Sequence, residues 1–164
     1  MNMIRSEHAS RTGLLAALLL LPCTALHAQN VDEAIFLPAA RVSEAVEAVA
    51  AMTDPLVVNF LERRDHHSAI MGSRAESGEP ELHESFDDVY FVQQGQAELL
   101  YGGTYQGGRT TEPGELRGGE IREGRRQPLA PGDVVVVPAD VVHQVVVEPG
   151  ATFIYLVLKV RRGK

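Results

Sequence analysis

The residues that could do chemistry gather in two places. In "GEPELHESFDDVYFVQQGQ" a histidine, His83, lies two positions after Glu81 and five before Asp88. In "PGDVVVVPADVVHQVVVEPG" a second histidine, His143, sits in an apolar run. Residues two apart in a strand point to one side. Glu81 and His83 share a face if "PELHE" is extended. So do Asp88, Tyr90 and Val92 on the next segment, and His143, Val145 and Val147 on another. Imidazoles and carboxylates are the donors that divalent Mn, Fe, Ni or Zn take where no thiolate is at hand. The plainer alternative is a pair of core histidines satisfied by ordinary hydrogen bonds. Spacing alone leaves both open.

The first 28 residues bear on which donors remain. "MNMIRSEHASRTGLLAALLLLPCTALHAQN" carries Arg5 and Arg11, an uncharged run from Leu14 to Leu21, then small residues around Ala25 and Ala28. A basic start, a short apolar run and a small-residue exit describe a secretory signal peptide. The run is much shorter than the roughly 20 residues of a membrane span. The expected cut follows Ala28, with Ala25 as the alternative; "LLPC" is a poor lipoprotein box, since proline precedes Cys23 directly.

Removing residues 1–28 takes away Arg5, Arg11 and Glu7. The basic count falls from 15 to 13, the acidic count from 22 to 21, and the net charge moves from −7 to −8. That balance opposes nucleic acid and anionic lipid as partners. Cys23, His8 and His27 leave too, so any metal site must use N and O ligands from what remains, including His66, His67, His83 and His143. The expectation is an exported protein, periplasmic or secreted, with no membrane contact after cleavage. About 136 residues, 164 less 28, suit one domain with one core.

The elements that must position these side chains are mostly strands. Residues 29–55 form an N-terminal segment with one helix, "VSEAVEAVAAM", which Ser43 can cap; Ala45, Val46, Val49 and Met52 make its apolar face. From residue 56 to 164 short strands alternate with Gly, Pro and Asp. "LVVNFLER", "HHSAIMGS", "DVYFVQQG", "QAELLYGG", "DVVVVPA", "HQVVVE" and "TFIYLVLKV" are expected strands. The glycine-rich stretch 102–131 reads as hairpins and a loop, and the basic end "KVRRGK" as a solvated strand end.

The second histidine segment resembles the second motif of the cupin family, G-x5-P-x-G-x2-H-x3-N. Gly132, Pro138 and His143 match; Asp140 replaces the second glycine and Val147 the asparagine. Aspartate tolerates a left-handed turn better than most residues. The first motif ends H-x-H-x3,4-E-x6-G. Gly95 closes it, Asp88 takes the glutamate position, His83 the second histidine and Glu81 the first. The other register, with His83 as first histidine, places Val89 at the carboxylate and loses the glycine. The resemblance implies an all-β cupin jelly-roll β-barrel with a short N-terminal helix, in a family whose members are often dimeric. It implies a metal set of Glu81, His83, Asp88 and His143 inside the barrel. Glutamate in place of histidine favours harder divalent ions, and Asp88 is one methylene short.

Three further residues are candidates. Tyr90 shares the Asp88 face, either as a proton donor or as packing. One of the adjacent His66 and His67 could turn into the cavity, and His67 is the candidate taken. Arg117, in "GELRGG", could cover the mouth and meet an anionic ligand. Two functions compete. One is a metal-dependent enzyme of lyase, isomerase or dioxygenase type acting on a small carboxylated or hydroxylated molecule. The other is a metal-free binding or sensing protein. The cupin fold does not choose between them.

Overall fold

The computed structural model describes residues 34–163. The expected signal peptide and its cleavage site lie outside them. Among the described residues no helix is long and apolar enough to cross a membrane.

One helix precedes the strands. α1 runs Ala39–Ala50, three residues earlier than the sequence suggested, and Pro38 rather than Ser43 stands at its N-cap, with no side-chain cap. Ala39 and Ala40 propagate a helix well, so it starts where proline's fixed φ already suits it. Ala45, Val46 and Val49 are buried at i, i+1 and i+4 spacing; Met52, beyond the helix end, is 54% exposed.

Thirteen strands follow among the described residues: β1 Leu56–Arg63, β2 His67–Arg74, β3 Glu81–His83, β4 Phe86–Gln94, β5 Ala97–Tyr101, β6 Thr104–Gln106 and β7 Arg109–Glu112. They continue with β8 Glu115–Arg117, β9 Glu120–Arg122, β10 Arg125–Leu129, β11 Val134–Val137, β12 His143–Val146 and β13 Phe153–Arg161. One sheet has the order β1-β2-β13-β4-β11 and a second β10-β5-β12-β3-β8-β7, with β6-β9 as a separate ribbon. Every pairing is antiparallel. This is the expected all-β jelly-roll barrel.

Alternation decides what goes inside. Tyr90 and Val92 of β4, Leu99 of β5, Val145 of β12 and Phe153, Tyr155 and Val157 of β13 form one buried cluster, drawn from both sheets. The other face of β2 and β13, with Ala69, Met71 and Ile154, packs with Leu61 and the apolar face of α1. Both faces of β13 are therefore covered, which is why "FIYLVL" is apolar without a break. Burying one such Val or Leu contributes about 1.5–3 kcal/mol, so α1 is part of what stabilises the first sheet.

The two motif turns adopt the conformations their residues suggested. Asp140 has φ +67°, the left-handed value expected of its glycine-like position. Gly95 has φ +76°, and a Cβ there would lie 1.9 Å from the Thr152 carbonyl oxygen. Val147 is a buried core residue.

Candidate metal centre

β3 has only three residues, yet it stands between two strands that matter. Glu81 is in register with His143 of β12 on one side and with Arg117 of β8 on the other; His83 is in register with Glu115. From the opposite sheet β4 brings Asp88 and Tyr90, and β13 sets Lys159 beside Asp88. The second-motif turn is tied to the first motif directly, since the Asp140 N–H donates to the His83 carbonyl at 2.8 Å.

Glu81, His83, Asp88 and His143 are all buried. One ligand atom from each of Glu81, His83 and His143 lies within 4.8 Å of the others. His83 Nε2 is 3.8 Å from Glu81 Oε2 and 3.3 Å from Asp88 Oδ2. His143 Nε2 is 3.5 Å from Glu81 Oε1 and 3.7 Å from Asp88 Oδ2. Asp88 thus faces the same centre from the other sheet, while the group of three is the tighter unit.

The outer nitrogens settle which inner nitrogens are free. His143 Nδ1 lies 3.0 Å from the Val141 carbonyl, which can only accept, so Nδ1 carries the proton. His83 Nδ1 lies 2.5 Å from Glu115 Oε2, again an acceptor. In the neutral tautomers that these contacts select, each ring points an unprotonated Nε2 inward, and that of His83 is buried without a hydrogen-bond partner. Lone pairs of two imidazoles and two carboxylates meet with no donor among the four. A divalent cation suits such a set, and the carboxylate behind His83 is the support that metal-bound imidazoles commonly have. The donors are N and O only, which fits Mn, Fe, Ni or Zn without selecting one.

Two cations already stand at the rim. Arg117 Nη1 makes a close ion pair with Glu81 Oε2, and Nη2 lies 3.7 Å from Glu115. Lys159 Nζ donates to Asp88 Oδ1 at 2.9 Å. Burial would raise the Asp88 carboxyl, whereas the Lys159 ammonium beside it acts to lower it, and the group is held well below the carboxylate range. Burial, then the charge of Asp88, pushes the Tyr90 phenol well above its ordinary value. Tyr90 Oη therefore keeps its proton; it lies 3.4 Å from both Asp88 Oδ2 and His143 Nε2.

The remaining candidates fall elsewhere. His66 precedes β2 and is exposed. His67 opens β2 opposite Val160 and stacks edge-on against His66, 4.6 Å between ring centroids. It lines a groove at the barrel rim with Arg63, Phe86 and Arg117, and it is not one of the three converging ligands. By alternation it follows the Ala69–Met71 face toward α1. Arg117 lines the rim groove and the neighbouring cleft, where Glu81 engages it.

Glu115, Lys159 and Arg74 were missed in the sequence. Glu115 and Arg117 alternate in "GELRGG", and Lys159 follows Phe153, Tyr155 and Val157 at every second position, so both signals were present. Arg74 had no comparable mark.

No family model and no curated protein matches the sequence. Among solved structures the chain is similar to a conserved protein with a double-stranded β-helix domain from Klebsiella pneumoniae. The TM-score is 0.51 at 14% identity, over 73% of this chain and 95% of that one. It also aligns with a cupin superfamily protein from Desulfitobacterium hafniense, at TM-score 0.48 and 20% identity over 70% and 85% of the chains. KdgF from Halomonas sp. aligns at 0.47 and 20% over 67% and 84%. These likenesses are of fold. The chain has a double-stranded β-helix fold, with a buried Glu-His-His group that could hold a metal ion.

Proposed function

We propose that the protein is an exported cupin that binds one divalent ion through Glu81, His83 and His143, with Asp88 beside them, and acts on a small carboxylated or hydroxylated molecule. The observation that carries this is the inward, unpartnered Nε2 of His83, with its Nδ1 backed by Glu115. A bound ion would supply Lewis acidity at an oxygen of the ligand. The chain's own residues divide the rest. Tyr90 holds a proton at Oη beside His143, and Asp88 stays ionised and orients that phenol. The walls from β4, β12 and β13 bury Asp88, Tyr90 and His143. Export is supported by the basic, apolar and small-residue order of residues 1–28.

The test is calorimetric titration of metal-free protein with Mn, Fe, Ni and Zn. Near-stoichiometric binding of one of them, lost in His143→Ala, is the expected result; equal binding by wild type and variant, or none by either, overturns it. A second reading, a metal-free binding protein, is favoured by the pairing of Glu81 with Arg117 and Asp88 with Lys159. One guanidinium and one ammonium would neutralise both carboxylates without an ion. The same titration separates the two.

A further inference from the structure

Outside the ligand set, one charge in the barrel mouth is left over. A cleft of about 430 Å³ opens onto Glu81, Asp88 and Tyr90, and its wall includes Arg74, Arg117 and Lys159. Its three carboxylates are matched: Glu81 by Arg117, Asp88 by Lys159, and Glu79 by Arg109 through two hydrogen bonds. Arg74 has no such partner among the described residues. Its Nε donates to Tyr155 Oη at 3.2 Å, which leaves both Nη groups without a protein acceptor there. Arg117 lines the same cleft, so the two guanidinium groups share its wall. A guanidinium with both Nη groups free at a half-buried mouth is a receptor for an anion.

The wall beside Arg74 is apolar. Leu56 and Val58 of β1 are in register with Arg74 and Gly72 of β2, hence on the same face. Both line the cleft with Ile70 and Val157, and they are 47% and 54% exposed. Single exposed apolar residues need no explanation. Two in a row on the inner wall of a cleft, next to an unmatched guanidinium, are different. The volume falls within the ~300–1,000 Å³ usual for small-molecule sites.

We propose that this cleft takes a small amphipathic monoanion, its carboxylate on Arg74 and its apolar body along Leu56 and Val58. This rests on the reading of the barrel as a small-molecule site and names the class of molecule. It does not depend on the ion.

The experiment uses the full chain stripped of metal, titrated calorimetrically with octanoate, acetate and 1-octanol. Octanoate is expected to bind at least tenfold more tightly than either. Arg74→Gln should bring octanoate down to the level of 1-octanol while its metal titration stays within twofold of wild type. Val58→Ser should cost octanoate severalfold and acetate nothing. Octanoate no tighter than acetate, no tighter than 1-octanol, or unaffected by Arg74→Gln overturns the proposal. Metal titration of the same preparation reads the other claim separately. Metal binding without octanoate binding sinks this inference alone, and octanoate binding without metal sinks only the metal.

Discussion

His83 Nδ1 lies 2.5 Å from Glu115 Oε2, on a strand that pairs with its own. The carboxylate fixes the tautomer, so Nε2 is presented inward as a lone pair, and it makes that ring a stronger donor. Glu115→Gln keeps the shape but removes the charge. Metal affinity is expected to fall about tenfold, and closer to 100-fold in Glu115→Ala, the range such supporting groups span. Calorimetry of the metal-free variants reads it. Unchanged affinity would mean that Glu115 serves only packing.

His143→Ala removes a nitrogen ligand outright and should cost more than ~100-fold, exceeding any loss from a supporting group. Glu81→Ala should cost less, since Asp88 remains on the same centre. Binding should weaken at low pH in wild type, because protons compete for both imidazoles. An affinity that is flat with pH would exclude histidine ligation.

Arg117→Gln should act in two directions. It frees Glu81 from its ion pair, so metal binding is expected to tighten by roughly tenfold, as a competing cation is removed. Without metal, Glu81 is then buried and unpaired, and stability should fall by about 2 kcal/mol. That is below the ~3–5 kcal/mol for breaking a fully buried pair, because Arg117 is 33% exposed and solvent screens it. Thermal unfolding with and without metal checks both. A variant equally stable in the two states contradicts the arrangement.

Two glycines with positive φ should respond differently to alanine. Gly132 (φ +93°) has nothing within 4 Å of a built Cβ, so only the backbone conformation costs, about 1–2 kcal/mol. At Gly95 the added carbon meets the Thr152 carbonyl at 1.9 Å, and the loss should exceed ~4 kcal/mol. Urea unfolding of the two variants compares them directly; equal midpoints would contradict the packing at Gly95.

Export has its own measurement. Protein recovered from the cell envelope should begin near Gln29 on N-terminal sequencing, and an intact Met1 on the soluble form would contradict it.

The parts of this molecule legible in the sequence were those in which one residue type has one physical job. Alternation in "DVYFVQQG" and "TFIYLVLKV" located β4 and β13, because a strand facing a core must repeat every second residue. Asp140 was legible as a left-handed turn because few residues tolerate one. Helix α1 begins three residues before the segment that Ser43 could cap, because Pro38, Ala39 and Ala40 start a helix without a side-chain cap. Glu115, Lys159 and Arg74 were not recognised because their roles come from register between strands far apart in the chain. No local pattern says that Glu115 will stand opposite His83.

β13 is hydrogen-bonded to β2 on one edge and to β4 on the other, although it is last of the strands in chain order. Until Phe153–Arg161 docks, β2 and β4 are two open edges, and the Lys159–Asp88 contact must close a separation of 71 positions. Assembly governed by such distant pairings is slow, in the millisecond-to-second range for β-sandwiches and barrels of this kind. A chain interrupted before Phe153 would leave those edges to pair with other copies of itself. The central strand of the first sheet therefore also decides whether a partly made molecule stays single.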